Sequence, residues 1–183
     1  GYIHIPDMST VGLDEFTKLF YTQLDKKALI IDDRMNGGGN VSPMIIERLQ
    51  REVYRMNMYR NGSEGLATIP ESTHHGPKVC LVDKYSSSDG DLFPYGFQKL
   101  GIGPLIGTRT WGGIVGISGS KPYVDGQDVR TPFFTSYSTD GKWILENEGV
   151  TPDIYVDINP FEDYLGNDAQ LNKAVEVLLE QIK

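Results

Sequence analysis

Cysteine is nearly absent from this chain. Cys80 is the only one in 183 residues, so no disulfide can close within it. Cys80 lies inside the apolar run Lys78-Val79-Cys80-Leu81-Val82 and reads as a small core residue. Histidine is scarce too: His4, His74 and His75 are the whole supply, which narrows the choice of a general base. Basic charge is in deficit. Seventeen Lys and Arg stand against 25 Asp and Glu, a formal net charge of −8. Nucleic acid is therefore not an expected partner, since phosphate binding needs a basic face. No apolar run is long enough to span a bilayer, so no membrane partner is expected either. Internal repeats and low-complexity tracts are lacking. Gly1 is not an initiator residue, so the chain reads as a piece of a longer polypeptide, and a missing leader says little about compartment.

What is present is enough for one domain with a real core, 39% hydrophobic and 23% charged. Tyr2–Ile5 reads as a short strand. Leu13, Phe16, Leu19, Phe20 and Leu24 recur at helical spacing, which predicts a helix over about residues 12–25. Ala28-Leu29-Ile30-Ile31 is the continuous apolar run expected of a strand buried on both faces of a mainly parallel sheet. Ser42-Pro43 predicts a helix start, with serine as cap and proline in the first turn. Residues 55–77 are polar and irregular, and predict a long surface excursion in which His74 and His75 are solvated. A strand at 78–82, a helix near 92–100 and a strand at 104–107 follow, with Pro94 near the end of that helix's first turn or just beyond it. Thr108 to Ser120 predicts a Gly-rich loop near the site. Residues 121–145 alternate strand-like pieces with turns at Asp125-Gly126 and Asp140-Gly141. Asp168 is placed to cap a final helix that buries Leu171, Ala174, Val175, Leu178, Leu179 and Ile182. Helices alternating with buried strands predict an α/β fold.

Two segments carry the chemistry. Tyr85-Ser86-Ser87-Ser88-Asp89-Gly90-Asp91 links a buried strand to a helix and can set a serine hydroxyl at a helix N-terminus, where unpaired amides favour negative charge. Such a serine is a candidate nucleophile, although serines also cap helices, and Ser88 with Gly90 meets only half of a G-x-S-x-G elbow. Asn36-Gly37-Gly38-Gly39-Asn40 follows the other buried strand. Its glycines let amides turn inward together, as an oxyanion hole requires, or simply make a flexible turn. The run lacks the Lys-Ser/Thr ending of a phosphate loop. Glu146 follows an apolar run and can orient a base, or can be a surface acid. Asp32, Asp33, Asp89 and Asp91 have no accompanying His/Cys cluster and fail the calcium-loop spacing, so no metal and no cofactor is expected.

Taken together, Gly1-Tyr-Ile-His-Ile-Pro, Leu29-Ile-Ile-Asp-Asp-Arg-Met-Asn-Gly-Gly-Gly-Asn-Val, Ser88-Asp-Gly-Asp, Leu105-Ile-Gly-Thr-Arg-Thr-Trp-Gly-Gly-Ile-Val-Gly-Ile and Glu146-Asn-Glu-Gly-Val-Thr-Pro-Asp resemble the tricorn group of the tail-specific serine peptidases, in family order. The resemblance implies a ClpP/crotonase-like β/α superhelical fold and endopeptidase action on oligopeptides or unfolded proteins. Residues 1–183 would be the C-terminal catalytic subdomain, following a PDZ domain and a further upstream subdomain that supplies the catalytic histidine. Carried over by position, Ser88 is the nucleophile, Gly39 and Asp89 give the oxyanion-hole amides, Glu146 belongs to the catalytic tetrad, and Gly37, Gly38, Gly112 and Gly113 border the substrate. His4, His74 and His75 do not match the family's histidine. Gly113 stands where a lysine-dyad relative would have its lysine, and no lysine lies between Lys99 and Lys121. Arg55-Met56-Asn57-Met58-Tyr59-Arg60 contains no acid where the family's preference for basic residues would place one. A homo-oligomer is implied, cytoplasmic in archaeal relatives and periplasmic in exported bacterial ones. Two other readings of the residues are a non-catalytic assembly module and a crotonase-like acyl-binding enzyme.

Overall fold

The computed structural model describes residues 1–60 and 67–183. Its elements in chain order are β1 (Tyr2–His4), α1 (Thr10–Tyr21), β2 (Leu29–Asp32), α2 (Ser42–Leu49), β3 (Arg55–Asn57), β4 (Ala67–Ile69), β5 (Lys78–Val82), α3 (Asp89–Lys99), β6 (Leu105–Gly107), β7 (Gly116–Gly119), β8 (Arg130–Phe134), β9 (Ile154–Tyr155), α4 (Pro160–Tyr164) and α5 (Ala169–Gln181). β1, β2, β5, β6 and β9 form one sheet in that order, every neighbouring pair parallel. The class is thus α/β with a parallel buried sheet, as the apolar runs predict.

Strand order follows chain order without reversal. Right-handed crossovers then place successive helices on the same face. Accordingly Phe16 and Phe20 of α1, Ile45 and Leu49 of α2, and Phe93 and Phe97 of α3 share one core with the strands. On that face the register sets Ile3, Ile31, Cys80 and Leu105 side by side across four strands. The opposite face carries Ile30, Val79, Leu81 and Ile106, covered by Ala174 and Leu178 of α5. Complete burial of a phenylalanine such as Phe93 or Phe97 is worth about 1.5–3 kcal/mol. No described helix is long and apolar enough to cross a membrane.

Several local expectations need correction. α1 stops at Tyr21, where the Thr22 hydroxyl bonds the carbonyls of Lys18 and Leu19; Leu24 reaches the core from the turn beyond. Ser42 is not the cap of α2. Val41 holds that position without a side-chain bond, while the Ser42 hydroxyl and amide both donate to Asp89. Residues 55–77 are not wholly irregular, since β3 and β4 pair antiparallel with Arg55 opposite Ile69; part of that segment lies outside the described residues. The segment 108–120 contains β7, which pairs with β8 in a hairpin. As expected, Pro94 falls just past the first turn of α3. Asp168 caps α5 as expected, accepting from the Leu171 amide at 2.9 Å, but Val175 and Leu179 are exposed. A single helix over a sheet buries only a narrow stripe.

His74 is buried rather than solvated, and its Nε2 bonds the Lys26 carbonyl at 2.8 Å. Beside it the buried Lys78 ammonium donates to the carbonyls of His74 and Gly76. Burial first, then the Lys78 charge, hold the His74 imidazole below its ordinary 6.5. As pH falls, the unfolded chain therefore takes up this proton before the folded one, and stability drops on passing below about 6.5. Urea unfolding of the protein at about pH 7.5 and about pH 5.5 should show this loss, and His74→Gln should make the difference smaller. An equal loss in both proteins would assign the pH dependence to other groups.

Candidate active site

The loops that leave the carboxyl ends of β2, β5 and β6 meet on the α1–α3 side of the sheet. β2 and β5 are adjacent, with Asp32 opposite Leu81, so the glycine loop and the serine turn start as neighbours. Ser88 ends the serine turn at φ +56°, ψ −120°, a backbone conformation costing of order 1–3 kcal/mol for a residue with a side chain. Ser88 occupies the N-cap position of α3, yet its side chain makes no capping bond. Its main chain is fully used: the amide donates to the Gly113 carbonyl at 3.1 Å, and the carbonyl accepts from Asp91 and Leu92. The hydroxyl is left half-buried and uncommitted at the positive end of a helix. Ser86, by contrast, is buried, and its hydroxyl donates to the Asp33 carbonyl at 2.8 Å.

The glycine loop packs directly on this turn. A Cβ on Gly38 would stand 2.6 Å from the Ser88 Cβ and 2.9 Å from the Asp89 amide nitrogen, and Gly38 has φ +95°. Only glycine fits both demands. Gly39, at φ +151°, lies against Met8, whose amide donates to the Gly38 carbonyl and whose carbonyl accepts from Asn40 and Val41. Among the described residues, neither the Gly39 amide nor the Asp89 amide has an acceptor. Gly37 has open space around its α-carbon.

Carboxylates hold the surrounding main chain. Asp91 is fully buried and accepts the amides of Gly112 at 2.8 Å and Gly113 at 3.1 Å. Those two amides therefore brace the site. Glu146 accepts the amides of Ile114 at 2.8 Å and Val115 at 3.0 Å through Oε2 alone. Leu145 and Asn147, on either side of it, both take φ +64°. Ser88 and Glu146 are thus tied to one short segment, residues 113–115, with no direct bond between them. Asp89 sends its carboxylate to Ser42 on α2. Asp33 is wholly buried, and burial, followed by the neighbouring Asp32 charge, pushes its carboxyl well above the usual range. Asp32 pairs with Arg34, which also reaches Asp168. Asp32, Asp89 and Asp91 are thus engaged by Arg34, by Ser42 and by the Gly112 and Gly113 amides, and Asp33 Oδ1 accepts from the Asn36 side chain.

The histidines do not join the site. His74 and His75 precede β5 and lie at the amino end of the sheet, whereas Ser88 follows its carboxyl end. His4 is at the carboxyl end of β1, but its side chain alternates away from Ile3 and Ile5. It borders a separate cavity of about 590 Å³ with Tyr2, Asp32, Arg34 and Gln170. Sequence reasoning missed Asp91 as a brace and Asn36 as a hub. Asp91 gave no local signal, since acids in the first turn of a helix are favoured by its dipole even at the surface.

The profile of peptidase family S41 matches residues 1–156. The tricorn protease of Thermoplasma acidophilum is 40% identical over 183 residues, covering 100% of this chain and 17% of that protein. A tricorn protease homolog of Saccharolobus solfataricus is 40% identical over 185 residues, again covering 100% of this chain and 17% of the relative. The crystal structure of the tricorn protease superposes with a TM-score of 0.91 at 41% identity, over 100% of this chain and 18% of that one. The chain therefore spans less than a fifth of the length of these relatives.

The approach of Gly38 to Ser88 is testable by adding one methyl group. Gly38→Ala should lower stability by about 1–3 kcal/mol in urea unfolding, whereas Gly37→Ala, with open space, should change it by less than about 1 kcal/mol. Equal effects at the two positions would contradict the close packing.

Proposed function

The chain belongs to peptidase family S41, and we propose that it carries the acylating half of a serine endopeptidase, with Ser88 as the nucleophile. The observation that supports this most is the uncommitted Ser88 hydroxyl, set on a positive-φ turn against a glycine loop, with the Gly39 and Asp89 amides lacking acceptors among the described residues. In this reading Ser88 Oγ attacks the carbonyl carbon of a peptide bond in an oligopeptide or unfolded protein. The amides of Gly39 and Asp89 donate to the oxygen that becomes negative, a term worth on the order of 10²–10³ in rate per donor. A base takes the hydroxyl proton and returns it to the leaving amine, giving an acyl-enzyme that water hydrolyses.

The base is proposed to come from outside these 183 residues, on an upstream subdomain of the longer polypeptide that also carries a PDZ domain. Glu146 suits the histidine side of that network: Oε2 is fixed by two amides, and Oε1 has no partner among the described residues. In this reading Gly37, Gly38, Gly112 and Gly113 border the bound substrate. The whole protein is read as a cytoplasmic homo-oligomer. Arg55–Arg60 offers no acid to pair with a Lys or Arg of the substrate, so this reading assigns no basic preference to the site.

Fluorophosphonate labelling of the full-length protein, with peptide mapping, should place the adduct on Ser88, and Ser88→Ala should abolish both labelling and peptidase turnover. An adduct on another residue overturns the assignment. The isolated 183 residues should cleave peptides at least ~10⁴-fold more slowly than the full-length protein, as for removal of a triad member. Comparable turnover by the two would place the base within this chain.

A further inference from the structure

Asn36 connects the two halves of the proposed oxyanion hole through its side-chain and main-chain oxygens. It is fully buried. Its Oδ1 accepts the Gly38 amide at 2.9 Å. Its Nδ2 donates to Asp33 Oδ1 at 2.9 Å and to the Ile5 carbonyl at 3.1 Å. Its carbonyl accepts the Ser87 amide at 2.9 Å. The same carbonyl lies under Gly90, where a Cβ would come within 2.4 Å of it. One residue thus ties the glycine loop by its side chain and the serine turn by its main chain.

The bond to Gly38 has a directional effect. With the Gly38 amide turned inward to Asn36, and the Gly38 carbonyl accepting from Met8, the Gly39 amide next to them has no acceptor among the described residues. Asp33 in turn holds the Asn36 amide group the right way round. Asp33 Oδ1 and the Ile5 carbonyl both take hydrogens of the Asn36 NH₂, and a main-chain carbonyl can only accept. A flipped Asn36 would face the Gly38 N–H with its own NH₂.

We propose that Asn36, oriented by Asp33, is the positioning residue that aims the Gly39 amide and fixes its separation from the Asp89 amide. The proposal rests on the Ser88 reading above. Its effect falls on the transition state more than on ground-state binding, since an oxyanion forms only after attack.

The test uses the full-length protein and a fluorogenic peptide that the unsubstituted protein cleaves. Asn36→Asp keeps an acceptor for Gly38 but removes the donor to Asp33 and sets two carboxyls together. It should lower kcat on the order of 10²-fold with KM changed by less than about threefold. The exchange Asp33→Asn with Asn36→Asp restores a donor–acceptor pair of the same shape and should regain at least about tenfold in kcat. Both proteins are compared at matched folded fraction, read from thermal unfolding. An unchanged kcat in Asn36→Asp overturns the proposal, as does a loss carried by KM, or one the exchange does not recover. If the paired carboxyls prevent folding, Asn36→Ser replaces Asn36→Asp and is read by the same kcat-against-KM split. Failure of the Ser88 reading shows separately, as fluorophosphonate label away from Ser88 in the unsubstituted protein.

Discussion

The near-contact of Gly38 with Ser88 and Asp89 is the constraint on which the rest of the site depends. The main chains of two loops approach closely enough that no methyl group fits between them. Such an approach is available because β2 and β5 are hydrogen-bonded neighbours, whose axes lie about 4.8 Å apart in any sheet. Loops leaving the same end of such a pair begin side by side. What remains is to keep them from relaxing apart, and Asn36, Met8 and Ser86 do so with buried hydrogen bonds to main-chain atoms.

The acids of this chain do much of that work. Asp91 and Glu146 each gather two amides, and Asp89 holds Ser42 on the adjacent helix. Hydrogen bonds to charged acceptors contribute about 1.5–3 kcal/mol each, more than neutral ones. Asp89 shows how one residue can take two parts. Its carboxylate locks α3 to α2, while its amide stays without a protein acceptor beside Ser88.

Much of the architecture was legible in the residues themselves. Leu29-Ile30-Ile31 and Val79-Cys80-Leu81-Val82 are apolar on both faces because both faces are covered, and that pattern gives a parallel sheet directly. The glycine loop and the serine turn were recognisable as special, but their contact was not, since it depends on which strands are neighbours. The caps illustrate the same division. Asp168 behaves as local chemistry dictates, whereas Ser42 is already the first residue of its helix and gives its amide and hydroxyl hydrogens to Asp89, 47 residues away. His74 was misplaced for a similar reason: its burial comes from the return of the chain beneath the amino end of the sheet, bonded to Lys26, and no local pattern records that. Short polar strands such as β3 leave no periodic signal to read.

One feature of the two-faced sheet bears on how such a domain can diversify. The crossover helices that build the reactive side are complete before residue 100, and the family profile ends at residue 156. The helix that roofs the rear side begins only at Ala169. Front and back are thus encoded by separate stretches of chain. An exchanged rear roof would have to keep something apolar over Ile30, Val79, Leu81 and Ile106, and an acid at the place of Asp168 for Arg34.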